Sequence, residues 1–126
     1  MRAMVPVGRV LFALLFILSF FSHFSGASID YAAAHGVPLA TLVVPLTGIL
    51  AAVGGVMVAL GYRARFGAFL LFCFLVPVTL VMHKFWGVAD PAAAAMQKAA
   101  FMKNLSLIGG TLLIMFYGAG PYSLDD

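Results

Sequence analysis

Charged side chains are scarce in this sequence, and glutamate is absent altogether. Seven Lys or Arg and four Asp make up 9% of the 126 residues, whereas a soluble domain is about 25% charged. With 64% hydrophobic residues, a water-soluble chain of this length would expose too much apolar surface, and a disordered chain needs the opposite composition. The few cations are too scattered for nucleic-acid binding. The composition therefore predicts a single integral membrane domain.

Residues and motifs that carry common chemistry are also few. Cys73 is the lone cysteine, so neither an internal disulfide nor a cysteine-rich metal site can form. The missing glutamate removes the usual proton-relay residue from the membrane interior. The sequence has no phosphate-binding loop, catalytic triad pattern or deaminase-type zinc motif. No cofactor motif is therefore evident.

The charges divide the sequence into four long neutral stretches, residues 10–29, 31–62, 66–83 and 104–124. Each holds at least 18 residues, and a helix needs about 20 to cross the hydrocarbon core. No period-two alternation runs through them, which disfavours a transmembrane β-barrel. We predict an all-α fold, a four-helix transmembrane bundle with antiparallel up-down connectivity. The predicted helices lie near residues 9–27, 39–61, 66–84 and 91–118.

The first helix has an alternative interpretation as a secretory signal peptide. Met1–Ser28 combines an early arginine with an apolar run and a small-residue end at Ser25–Ser28. Arg9 comes late for a signal peptide, however, and the apolar run is long enough to cross a membrane. We therefore favour an uncleaved transmembrane helix.

The last helix begins at a capping signal. Asp90 precedes Pro91, which combines an N-cap residue with a proline at the first helical position. A helix over 91–118 would have 28 residues and a length of about 42 Å, more than the membrane core. We expect its first turns to lie in the interface, or the helix to tilt strongly.

Lysine and arginine set the predicted orientation. The four arginines lie at one end of the predicted helices and the three lysines at the other. Cytoplasmic loops of membrane proteins carry an excess of these residues. We predict a multi-pass membrane protein with both termini in the cytoplasm.

Polar side chains collect at the end of the predicted bundle that lies opposite the arginines. Such residues are informative because polar groups are costly inside lipid. All three histidines of the chain lie at this end, two of them at helix ends. The candidate ligand-binding residues are His23, His83, Gln97, Lys103 and Asn104.

Each candidate also has a purely structural interpretation. His23 can bond a backbone group at the interface, and His83 can belong to a solvated helix end. Gln97 and Asn104, seven residues apart on one helix face, can bond neighbouring helices. Lys103 has no carboxylate within a helical turn, so it either extends to the interface or faces a pocket for an anionic or quinone-type ligand. A haem or metal on the two histidines is disfavoured, since no local motif supports their spacing.

Five short segments, in the same order along the chain, resemble the DoxX family of small bacterial membrane proteins. They are Gly8-Arg9, the glycine-rich Gly54–Arg65, His83–Trp86, Phe101–Leu105 followed by Gly109-Gly110, and the tail Gly118–Asp125. The resemblance implies a bundle of four transmembrane helices in the bacterial inner membrane. It also implies a link to redox work, since members of that family include subunits of thiosulfate:quinone oxidoreductase.

The resemblance leads to one functional hypothesis and leaves an alternative open. In the first, the chain is a membrane subunit of a quinone-linked redox complex with an oxidoreductase partner. His83 would bond a quinone carbonyl, and Lys103 would stabilise the negative charge that develops on reduction. In the alternative, the chain is a non-enzymatic membrane scaffold, or a carrier that binds a lipid or small solute. A channel made by a homo-oligomer ranks last, because no acidic or hydroxyl stripe is present to form a ring.

Overall fold

In a computed structural model, the chain folds into helices joined by short links. The structure describes residues 1–83 and 85–125, without the side chain of Ser22. Four helices are long and apolar enough to cross a membrane, and the described residues contain no strand. The all-α prediction with four spans is confirmed. The helices are α1 (Met4–Ser22), α2 (Gly26–Ala34), α3 (Ala40–Leu60), α4 (Ala64–Met82) and α5 (Pro91–Tyr117).

The short helix α2 is the element that the sequence analysis did not predict. The Ser25 hydroxyl accepts a hydrogen bond from the Ser28 amide at 3.1 Å and so caps its first turn. The same small residues had suggested a signal-peptide end. Because α1 stops at Ser22 and α2 begins at Gly26, the first long helix covers residues 4–22 and not 9–27.

The other helix boundaries have local causes. Gly61 ends α3 in the left-handed region, with φ of 71°, a conformation that glycine adopts without steric cost. The Asp90 carboxylate accepts a hydrogen bond from the Ala93 amide at 3.2 Å, and Pro91 takes the first position of α5. With 27 residues, α5 is about 40 Å long.

Helix α3 holds the structure together, since it packs against α1, α2 and α4, while α5 packs against α4. Glycines allow the close approach that helix association in lipid requires. A Cβ on Gly54 would lie 2.9 Å from the Gly67 carbonyl oxygen of α4. A Cβ on Gly55 would lie 3.3 Å from the Ala13 carbonyl oxygen of α1.

The core is small, and most large apolar side chains point outward. Phe16, Val58 and Leu71 belong to a buried cluster that joins α1, α3 and α4. Large hydrophobic residues remain exposed along all four long helices. Such a surface is unsuited to water but matches the hydrocarbon of a bilayer.

The two ends of the molecule differ in chemistry. The histidine end consists of the last turn of α1, helix α2, the start of α3, the end of α4 and the start of α5. The tail end consists of the opposite helix termini and the C-terminal residues 118–125. The Arg9 side chain, only 6% exposed, donates hydrogen bonds at the tail end to the carbonyl oxygens of Ala119 at 2.6 Å, Pro121 at 3.1 Å and Tyr122 at 2.6 Å.

Substituting Gly54 by Val should weaken the contact between α3 and α4. The added side chain meets the backbone of Gly67, which cannot move aside, so we expect the free energy of unfolding to fall by about 1–3 kcal/mol. Thermal unfolding in mild detergent, followed by far-ultraviolet circular dichroism, measures the loss. Gly109→Val is the matched control, because a Cβ there has no neighbour within 4 Å. Equal destabilisation by both variants would contradict the close-packing argument.

Candidate functional site

A cavity of about 390 Å³ lies at the histidine end. Its walls come from the end of α1, from α2 and the link after it, from the start of α3 and from the end of α4. Most of the lining is apolar, with a few polar groups among it, which is the usual composition of a small-molecule site. The residues that line it are His23, Ser28, Tyr31, Ala32, Gly36, Val37, Pro38, Val43, Val44, Thr47, Pro77, Val78, Val81, Met82 and His83.

His23 enters the cavity wall from the C-terminus of α1. Its Nδ1 lies 2.7 Å from the Ser19 carbonyl oxygen, one helical turn back, and its ring centroid lies 5.6 Å from that of Phe74. Because a carbonyl oxygen only accepts, Nδ1 carries the proton. Gly48 of α3 makes room for this side chain, since a Cβ there would lie 2.9 Å from His23 Cγ.

His83 belongs to a chain of hydrogen bonds that connects three helices. Its Nδ1 lies 3.0 Å from Gln97 Oε1 of α5, and Gln97 Nε2 donates to the Tyr31 hydroxyl of α2 at 2.7 Å. In this orientation of the amide, Oε1 only accepts, so Nδ1 of His83 is the donor. With Nδ1 bonded to Gln97, Nε2 is the ring nitrogen left for another partner.

Tyr31 is the central residue that the sequence analysis did not assign to the site. Its ring centroid lies 4.2 Å from that of His35, with the two planes tilted by 32°, and His35 Nδ1 lies 2.8 Å from the Tyr31 carbonyl oxygen. Tyr31 was not assigned to the site because its helix was not predicted. The Ser25 cap followed by Ser28 is the sequence signal that could have placed Tyr31 on a helix.

The structure brings three of the five predicted site residues together and separates the other two. His23 and His83 line the cavity, and Gln97 is bonded to His83. Lys103 is exposed on α5, and Asn104 is buried on the same helix, with only 5% of its surface exposed. The described lining of the cavity includes neither of them. The neighbour of His83 in the sequence, Lys84, lies outside the described residues.

The described residues contain no group of three or more His, Cys, Asp or Glu side chains that could hold a metal ion. The two histidines of the cavity instead direct their Nδ1 atoms to oxygen acceptors of the protein. The site is therefore organised by hydrogen bonds between helices, around an apolar space.

Four apolar spans and a cavity between helix ends define a multi-pass integral membrane protein. The chain belongs to the SURF4 family, whose sequence model matches residues 2–126. It is 31% identical over 123 residues to the inner membrane protein YqjF of Escherichia coli, covering 96% of this chain and 88% of that protein.

The chain is also similar to eukaryotic proteins. It is 31% identical over 80 residues to the ER-derived vesicles protein ERV29 of Saccharomyces cerevisiae, covering 64% of this chain and 26% of that protein. It is 29% identical over 82 residues to a Surfeit locus protein 4 homolog of Schizosaccharomyces pombe, covering 64% of this chain and 27% of the homolog. The aligned regions thus span about a quarter of each eukaryotic protein. No solved structure matches the chain.

The predicted membership of the DoxX family is wrong, because the SURF4 match extends over nearly the whole chain. The paired glycines and the basic turn do not identify a family, because many unrelated membrane helices need both features. The redox complex and the oxidoreductase partner followed from that resemblance, and the quinone followed from it together with the position of Lys103. Neither the family nor the similar proteins point to them.

Replacing Tyr31 by Phe should loosen α2, because the hydroxyl that accepts from Gln97 is its link to α5. We expect amide protection in α2 to fall by about 0.5–1.5 kcal/mol, the net contribution of one hydrogen bond. Hydrogen–deuterium exchange over residues 26–34 measures it. Tyr62→Phe at the tail end is the matched control and should leave α2 unchanged. Unaltered exchange in the Tyr31 variant would show that the hydrogen bond does not hold α2.

Proposed function

We propose that this SURF4-family protein is a non-enzymatic membrane protein that binds an amphipathic lipid or small solute at its histidine end. The observation that carries the proposal is the apolar cavity of about 390 Å³ with a hydrogen-bonded polar group at its wall. The apolar part of the ligand fills the space lined by Val44, Val78 and Val81. Its polar part meets His83 and Tyr31.

The chemistry of the polar groups favours binding over catalysis. Gln97 joins His83 to Tyr31, and the Nδ1 atoms of both cavity histidines have oxygen partners. His83 and Tyr31, held in this way by Gln97, offer one ring nitrogen and one hydroxyl in fixed positions. Such a pattern suits recognition of the polar head of a ligand. A preformed cavity also reduces the ordering cost of binding.

Contacts along the chain support antiparallel connectivity of the spans, which forms part of the proposal. The end of α1 meets the first half of α3, where Gly48 adjoins His23, and the middle of α1 meets the second half, where Gly55 adjoins Phe16. At the tail end, Gly61 after α3 adjoins Ser123.

With the arginine-rich tail end in the cytoplasm, the cavity opens on the opposite side of the membrane. A bacterial inner membrane, as in the Escherichia coli relative, is the proposed location.

Filling the cavity should abolish ligand binding. Val81→Trp places a large ring among the lining residues, whereas Leu80→Trp, one residue earlier on α4, adds the same ring at a side chain that is 51% exposed and outside the lining. The probe is a long-chain monoacylglycerol, a neutral amphipathic lipid, with a photoreactive diazirine and an alkyne tag. We expect crosslinks within residues 28–47 and 77–83 of the wild type and the Leu80 variant, and their loss in the Val81 variant.

The mapped positions decide the outcome of this experiment. Crosslinks spread evenly over the exposed faces of all four spans, and unchanged by Val81→Trp, would contradict a bound ligand. Retention of a specific crosslink in the Val81 variant would contradict the cavity as its site. Far-ultraviolet circular dichroism of both tryptophan variants establishes that they are folded alike.

Orientation can be tested by cysteine labelling in intact bacteria expressing the full chain. In a Cys73→Ala background, Ala92→Cys at the start of α5 should react with a membrane-impermeant maleimide. Leu124→Cys at the tail end should react only after lysis, since the tail is expected to face the cytoplasm. Both sites are exposed, so access to the reagent depends on the side of the membrane. The reverse pattern would place the cavity on the cytoplasmic side.

A further inference from the structure

A second cavity, of about 500 Å³, lies at the tail end and plays no part in the proposed ligand site. Its walls are the start of α4, the end of α5 and the C-terminal residues that follow. Two arginines and two aromatic residues give it a chemistry unlike that of the histidine end. The lining residues are Arg63, Arg65, Phe66, Tyr117, Gly118, Ala119, Gly120, Ser123 and Asp125.

Arg65 is held across this cleft by the end of α5. A Cβ on Gly118 would lie 3.1 Å from Arg65 Nε and 3.4 Å from Nη2, so the guanidinium rests against the glycine backbone. Gly118 has φ of 80°, in the region where glycine is favoured. A cation at this position also benefits from the negative end of the α5 dipole. Arg63 also lines the cleft, and its Cζ lies 5.4 Å from the centroid of the Phe66 ring.

No carboxylate among the described residues forms an ion pair with Arg63 or Arg65. Asp125 lines the cleft, but its two oxygens accept hydrogen bonds from the backbone amides of Arg63 and Ala64, the latter at 2.8 Å. The carboxylate therefore caps the start of α4 and is turned to the backbone. Asp30 and Asp90, the other described carboxylates, belong to the histidine end. Both guanidinium groups are left to bind an anion from outside the described chain.

The C-terminal residues 118–125 form the wall of the cleft opposite the arginines, and hydrogen bonds hold this wall in place. Arg9 binds three carbonyl oxygens between Ala119 and Tyr122, and the Leu124 amide donates to the Leu60 carbonyl oxygen at 3.3 Å. The tail is thus fastened to α1 and α3 while it borders the cleft. Tyr117, 72% exposed, stands at its edge. Aromatic residues with a polar group prefer this level of a membrane, where headgroups begin.

We infer that this cleft binds the phosphate group of an anionic phospholipid from the adjacent leaflet. Arg63 and Arg65 offer planar donor pairs that match the oxygens of a phosphate diester. Both follow directly on the end of α3, so they lie at headgroup depth and the acyl chains can run along the exposed apolar faces of α4 and α5. Basic pockets between transmembrane helices bind anionic headgroups in this way.

The test compares two lipids that differ only in their headgroups. Native mass spectrometry of the full chain in mild detergent is titrated with dioleoyl-phosphatidylglycerol or dioleoyl-phosphatidylcholine. We expect one tightly retained phosphatidylglycerol and markedly weaker retention of phosphatidylcholine. Arg65→Gln should weaken the binding of phosphatidylglycerol about tenfold or more, because a charged two-donor contact is lost. Arg65→Lys should give an intermediate loss of affinity, since lysine keeps the charge but lacks the paired planar donors of the guanidinium.

Arg2→Gln is the matched control, because it removes the same charge at the same end of the molecule from a residue outside the cleft lining. It should leave the affinity within about twofold of the wild type, because a surface charge outside the cleft contributes little to binding there. Equal losses in the Arg2 and Arg65 variants, or equal retention of the two lipids, would overturn the inference. If Arg65→Gln does not fold, Arg63→Gln provides the same comparison.

A soluble phosphate is the other source of the same chemistry, and a competition arm separates the two. Inorganic phosphate and glycerol-1-phosphate are added at a large excess over phosphatidylglycerol. We expect little displacement, because neither competitor has acyl chains to lie along α4 and α5. Complete displacement of the lipid by this excess of inorganic phosphate would overturn the lipid assignment and identify a site for the free anion.

Discussion

Polar groups within a membrane-spanning helix need hydrogen-bond partners, and the partners that the two Arg9 Nη atoms find organise one end of the molecule. Its Nη atoms bind the carbonyl oxygens of Ala119, Pro121 and Tyr122, beyond the end of α5. These carbonyl groups follow the end of a helix and need hydrogen-bond donors, which the arginine supplies. The contact fastens the tail to α1, and the fastened tail then brings Asp125 to the start of α4. The cleft beside Arg65 is a consequence of this folding-back.

The same demand acts at the histidine end with neutral groups. Gln97, His83 and Tyr31 satisfy one another across α5, α4 and α2, while His23 bonds back to α1. Since these groups pair among themselves, the space between the helices stays largely apolar. An apolar cavity with a short polar wall is able to accept a chain and orient a head. The two ends thus differ in the ligand they suit, a neutral or amphipathic molecule at one and an anionic headgroup at the other.

Much of the architecture could be predicted from the sequence, while the family could not. Four spans were predictable because lipid demands long apolar helices, and neutral stretches of sufficient length reveal them directly. Helix α2 was missed because nine residues of mixed polarity carry no strong periodicity. The family assignment failed because the segments used for it, such as Gly54-Gly55 and the basic turn after Gly61, meet general needs of membrane helices.

The sequence by itself determined that the chain spans a membrane, where its four long helices lie and that its polar side chains gather at the histidine end. Only the tertiary structure decided which of them meet. Lys103 and Asn104 are neighbours, yet a helix turns about 100° per residue, so one is exposed and the other buried. Arg9 finds its partners about 110 positions away. Such pairings depend on how helices pack, which neither composition nor local spacing encodes.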